Sequence, residues 1–132
     1  MKFMLDTNII AYAKNHRPES VLRRFMQYRP EDMCISSITM AELEFGVYNS
    51  SKPEQNRLAL MTFLSGIEVV PFDAAAAMAY GSIRADLTKK GNLIGANDML
   101  IAVHAKALDL TLVTNNTREF NRVEGLKIEN WV

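Results

Sequence analysis

Four short apolar runs, Lys2–Leu5, Met33–Ser36, Ile67–Val70 and Thr111–Thr114, are separated by stretches whose apolar residues recur at helical spacing. That order restricts the fold sharply. Strands joined through helices cannot pair as hairpins; they line up in parallel, and right-handed crossovers place helices on both faces of the sheet. The expected fold class is therefore α/β, a three-layer α/β/α arrangement around a central parallel sheet, with Lys127–Ile128 as a short edge strand. No repeat, low-complexity tract or linker interrupts the chain, so residues 1–132 read as a single domain. With 132 residues, 48% of them hydrophobic, such a domain buries roughly two-thirds of its unfolded surface.

The helices have legible ends. Ile9–Lys14 reads as a turn or two, and a second helix after Pro18 carries Val21, Leu22, Phe25 and Met26 on one face. Thr39 with Glu42, and Ser51 with Glu54, each stand in the S/T-x-x-E spacing of a capping box. Asp73 is placed to cap a long helix, Ala74–Lys90, which Gly91 closes. Asp98–Leu108 forms the last long helix.

Fifteen basic residues balance fifteen acidic ones, which removes the electrostatic case for an indiscriminate nucleic-acid binder. Arg17, Arg23, Arg24, Arg57, Lys89, Lys90, Arg118 and Arg122 could meet phosphates locally or be solvated. Cys34 is the sole cysteine; it reads as a small buried side chain, and the cytoplasm is the default compartment. No run approaches the roughly 18 apolar residues of a membrane span, and Asp6 interrupts any signal-like start.

Ligands of open parallel sheets bind at the carboxyl ends of the strands. Asp6, Thr7 and Asn8 follow the first strand. Ser36, Ser37 and Thr39 follow the second, with Glu42 one turn on; Asn115, Asn116 and Glu119 follow the fourth, and Asp98 heads a helix after the Gly91–Gly95 turn. Three or four carboxylates are thus expected on one rim. Two like charges about 4 Å apart repel by roughly 4 kcal/mol at an effective dielectric of 20, so such a rim calls for a cation. All-oxygen ligation suits Mg²⁺ or Mn²⁺ rather than zinc.

Each carboxylate also has a plain structural reading: Asp6 as a cap, Glu42 as half of a capping box, Asp98 as a favourable charge at a helix N-terminus. Glu44 is expected to face away from Glu42, Asp73 to be only a cap, and Asp86 to pair with Lys90. His16 and His104 read as solvated or satisfied histidines, since neither accompanies a nucleophile elbow. Phosphate-binding and dinucleotide-binding glycine loops are absent, as is a cysteine pair for zinc.

The blocks Met4-Leu5-Asp6-Thr7-Asn8, Ser37-Ile38-Thr39-Met40-Ala41-Glu42-Leu43 with Gly46, Ile94-Gly95-Ala96-Asn97-Asp98, and Val113-Thr114-Asn115-Asn116 with Glu119-Phe120 resemble those of PIN-domain ribonucleases, specifically the VapC toxins of toxin-antitoxin pairs. The resemblance implies that Asp6, Glu42, Asp98 and Glu119 form the acidic site, with Asp6 and Asp98 as metal ligands and Thr7, Asn8, Ser37, Thr114 and Asn116 as a supporting polar shell. It further implies Mg²⁺-dependent endonucleolytic cleavage of RNA, with the anticodon loop of initiator tRNA as target, restraint by a VapB-type antitoxin, and a homodimer. Asn116 stands where many relatives carry an aspartate, which lowers the negative charge at that corner. The competing readings are a structure-specific DNA nuclease and a non-catalytic, receiver-like metal-binding domain. The latter wants an adjacent acidic pair after the first strand, where this chain has Asp6 followed by Thr7.

Overall fold

The computed structural model describes residues 1–15 and 17–132; the reading of His16 lies outside the described residues. Five strands form one sheet: β1 (Phe3–Leu5), β2 (Met33–Ser36), β3 (Glu68–Val70), β4 (Thr111–Val113) and β5 (Ile128–Glu129). All neighbours are parallel, in the order β3-β2-β1-β4-β5. The first strand is therefore central, and β3 and β5 are the edges.

Among the described residues seven α-helices surround this sheet: α1 (Thr7–Asn15), α2 (Glu19–Phe25), α3 (Ser37–Tyr48), α4 (Pro53–Phe63), α5 (Ala74–Lys89), α6 (Ala96–Ala107) and α7 (Thr117–Phe120). The period-2 pleat divides the core in two. Phe3, Leu5, Met33, Ile35 and Val113 pack on one face with Ile9, Ile10, Val21 and Leu60. Met4, Cys34 and Leu112 pack on the other with Leu87, Met99, Ile101 and Phe120. Fully burying each such side chain stabilises the fold by roughly 1.5–3 kcal/mol, which makes a three-layer α/β/α sandwich stable without cross-links. Cys34 is buried as expected, and its desolvated thiol is pushed up to about 12.

Several boundaries differ from expectation, for local reasons. Helix α3 starts at Ser37, because the Ser36 Oγ accepts from the Ile38 amide at 3.1 Å and so occupies the N-cap. Thr39 is consequently interior and fully buried, and the Thr39–Glu42 spacing is not a capping box. Likewise α4 opens at Pro53 behind Lys52, which makes no side-chain cap, rather than behind Ser51. Proline supplies the preset φ that starts the helix. Helices α1 and α6 each begin two residues earlier than read, at Thr7 and Ala96. Asp73 does cap α5, its Oδ1 accepting from the Ala76 amide at 3.0 Å. Gly66, at φ +84°, turns the chain from α4 into β3 where a Cβ would stand 3.0 Å from Pro30, a conformation and a space only glycine accepts. No helix among the described residues is long and apolar enough to cross a membrane.

Candidate active site

Strands β1, β2 and β4 end at the same rim, and the chain turns there into α1, α3 and the segment before α7. Asp6 occupies the central exit. It is only 4% exposed. Its backbone amide donates to the Val113 carbonyl at 2.9 Å, continuing the ladder, and its carbonyl accepts from Ile10 at 3.3 Å, opening α1. The carboxylate is therefore fixed by backbone at both ends. Its Oδ1 accepts from the Thr7 amide at 2.7 Å and its Oδ2 from the Thr114 hydroxyl at 2.9 Å.

The other three acidic groups converge on this one from separate elements. Glu42, a turn and a half into α3, accepts from the Thr7 hydroxyl at 2.8 Å. Glu119, on the four-residue α7, accepts from the Gly95 amide at 2.7 Å and from the Asn116 side chain at 2.8 Å. Asn116 is held in turn by its amide, which donates to the Thr114 hydroxyl at 3.0 Å. Asp98 lies in the first turn of α6. A Cβ at Gly95 would sit 3.5 Å from Glu119 Oε1 and 3.9 Å from Asp98 Oδ2, which places both carboxylates beside this one stretch of backbone.

Electrostatics separates the four. Burial pushes the Asp98 carboxyl up to about 6, aided by the charges of Asp6, Glu119 and Glu42. Asp6 is also raised, first by burial and then by Glu42 and Glu119, against the pull of its bonds from Thr114 and Thr7. Glu119 moves the opposite way, below its usual range, because the Gly95 amide and Asn116 stabilise its charge. Burial together with like charge, with no cationic side chain bonded to any of the four among the described residues, makes this cluster the candidate functional site.

The donor set is wholly oxygen, from four carboxylates and their hydroxyl supports, and carries surplus negative charge. That chemistry fits a hard divalent cation. Among the described residues no three of these side chains stand close enough together to make a ready-formed metal-ligand group.

Of the expected polar shell, Thr7, Thr114 and Asn116 touch the acidic groups, as described. Ser37 does not: its Oγ accepts from the Phe72 amide at 3.0 Å and anchors the segment between β3 and α5. Asn8 is exposed on α1 and makes no side-chain hydrogen bond among the described residues. Gly95 was missed as a site residue, although its place three residues before Asp98 was a usable signal. Glu44 bonds Arg57 at 2.8 Å, and Asp86 pairs with Lys90 at 3.1 Å, both away from the rim. His104 is buried and satisfied, its Nδ1 2.8 Å from the Ser36 hydroxyl.

Residues 3–126 match the PIN domain family. Over 132 residues the chain is 47% identical to a ribonuclease named VapC2 from Haemophilus influenzae, covering 100% of this chain and 99% of that one. The chain belongs to the VapC family of PIN-domain proteins. It is 47% identical over 131 residues to the tRNA(fMet)-specific endonuclease VapC of Shigella flexneri, covering 99% and 98% of the two chains. Among solved structures, a DNA-bound VapBC from Salmonella typhimurium superposes with a TM-score of 0.93 at 44% identity, over 100% of this chain and 99% of that one. VapBC2 from Rickettsia felis, bound to a promoter DNA fragment, gives 0.91 at 46% identity and covers 100% of both chains. The fold described above thus recurs at full length.

Proposed function

We propose that this chain is the endoribonuclease toxin of a toxin-antitoxin pair, acting at the Asp6, Glu42, Asp98 and Glu119 rim on a structured RNA. The observation that carries the reading is the convergence of four carboxylates from separate elements on one exposed edge, in a chain matching a tRNA(fMet)-specific endonuclease over nearly its whole length. The favoured substrate is the anticodon loop of initiator tRNA. A recessed acidic rim admits a splayed single strand more readily than an A-form duplex.

Asp6 and Asp98 would hold a divalent cation, Mg²⁺ with Mn²⁺ as a substitute, with Glu42 and Glu119 completing the negative surface. When bound, the cation supplies charge neutralisation at the scissile phosphate and acidifies the attacking water. The protein's own contribution is preorganisation. The Thr114 hydroxyl and Thr7 amide orient Asp6; the Thr7 hydroxyl orients Glu42; the Gly95 amide and Asn116 keep Glu119 ionised at the edge. These groups need no rearrangement at the moment of reaction, which is where such fixed dipoles act most effectively.

An active nuclease must be restrained in its host. A VapB-type antitoxin is the expected partner, and the relatives from S. typhimurium and R. felis were solved as VapBC complexes. A homodimer and a cytoplasmic setting belong to the same proposal. The test is cleavage of labelled RNA and DNA of one sequence by the purified chain, with Mg²⁺ or with EDTA, followed by mapping of new RNA 5′ ends after induction. One dominant EDTA-sensitive cut in the anticodon loop supports the reading. Preferential DNA cleavage, or cuts spread through duplex stems, overturns it.

A further inference from the structure

Four of the eight basic side chains read from sequence are neutralised by neighbours. Arg23 pairs with Glu19, Arg24 with Glu129, Arg57 with Glu44, and Lys90 with Asp86 and Glu124. Arg84 on α5, a further basic side chain, is not neutralised in this way. It is exposed and pairs with no carboxylate among the described residues; its Nη1 bonds the Tyr80 hydroxyl at 2.8 Å, one helical turn back. The guanidinium lies 5.8 Å from the centre of the Tyr80 ring.

These two side chains form a wall of a cavity of about 110 Å³, closed by Leu93, Ile94, Ala96 and Met99. The cavity is small and partly open to solvent. Its location matters more than its size. Ile94 and Ala96 flank Gly95, whose amide holds Glu119 and whose backbone abuts Asp98. On the far side of the same segment, Arg122 donates to the Leu93 carbonyl at 3.0 Å. The loop that delivers Gly95 to the rim is thus bracketed by two guanidinium groups.

An aromatic ring, an apolar floor and a guanidinium without an acidic partner are the elements that hold a nucleotide, since bases stack on aromatic and arginine planes while phosphates seek the charge. The acidic rim itself repels phosphate, so binding of an RNA strand must draw on groups just outside it. We infer that Tyr80 and Arg84, with Leu93 and Ile94, form a subsite for the nucleotide that flanks the scissile phosphate in a single-stranded RNA. This rests on the RNA-cleaving reading above and adds to it a determinant of which loop is cut.

The test is steady-state cleavage of an RNA stem-loop by the full chain and by Tyr80→Ala, Arg84→Ala and Tyr80→Phe, with Arg23→Ala as a control on another face. KM is expected to rise about tenfold in each alanine variant, the scale of losing one base-stacking contact. The value of kcat should stay within about twofold, because none of the acidic groups is touched. Tyr80→Phe keeps the ring and should recover most of the loss. Arg84 is exposed, so Arg84→Ala carries the test even if the half-buried Tyr80 variant folds poorly. Wild-type KM in a folded Arg84→Ala and Tyr80→Ala overturns the subsite while leaving the ribonuclease standing. A wild type that cleaves no RNA overturns the parent reading, and this one with it.

Discussion

Two buried polar sites lie close together in this fold and have been treated in opposite ways. His104, on α6, is 1% exposed, and its Nδ1 lies 2.8 Å from the Ser36 hydroxyl, which in turn accepts from the Ile38 amide. Burial holds its imidazole below the usual pKa, which favours the neutral form. Six residues earlier on the same helix, Asp98 faces three other carboxylates. The histidine Nδ1 and the Ser36 hydroxyl are paired and the neutral ring leaves no net charge; the acidic site keeps charge that its own hydrogen bonds do not offset. Pairing of the first kind stabilises a fold. The second kind destabilises it and is retained where a ligand removes the cost.

The largest break in this contrast should come from Asp6→Asn. It keeps shape and the bond from Thr114 but deletes the central charge, so RNA cleavage should fall by on the order of 10²–10³ fold with the fold intact. Kinetics paired with circular dichroism check it; a clearly unfolded variant would mean that Asp6 is structural.

His104→Ala should do the reverse. It leaves the Ser36 hydroxyl without its His104 partner and opens a void between α6 and β2, costing about 2–4 kcal/mol. Thermal melts should drop by roughly 10 °C, a larger stability change than any single carboxylate substitution at the rim. A melt within two or three degrees of wild type would sink the structural reading of this histidine.

Asp98→Asn sharpens the comparison through pH. The folded carboxyl titrates near 6 and the ordinary value is 3.8, so the unfolded chain gives up this proton first. Asp98 therefore favours the fold at low pH, and that contribution is lost as pH rises from about 4 through 6. In metal-free buffer at pH 7.5 the asparagine variant should be more stable than wild type by about 1–2 kcal/mol, allowing for solvent screening at a partly exposed group. The gain should fall to about half by pH 5. Equal melts at both pH values would remove Asp98 from the repelling set.

Much of this was legible in sequence because it depends on order and period alone. The alternation of Phe3, Met4 and Leu5 between two cores follows from the pleat, and Asp6 must leave the central strand at the ligand-binding rim. What escaped depended on contacts across long separations. The Gly95 amide meets Glu119 from 24 residues away, and no local pattern encodes that. Ser36 displaced Thr39 as the cap because the S/T-x-x-E spacing also occurs inside helices, where Glu42 is then free to face the rim. Helix α7 is too short for its periodicity to register, and Ser37 was assigned to the rim by proximity when the Phe72 amide had claimed it.

The central claim is that the rim holds uncompensated charge for a divalent cation. Melting the wild type and Asp98→Asn side by side, in EDTA and across millimolar Mg²⁺ and Mn²⁺, tests it most directly. The wild type should rise with cation concentration as a ligand of the folded state demands, while Asp98→Asn starts higher and responds little. Identical melts of the wild type with and without cation, together with EDTA-resistant RNA cleavage, would contradict the account.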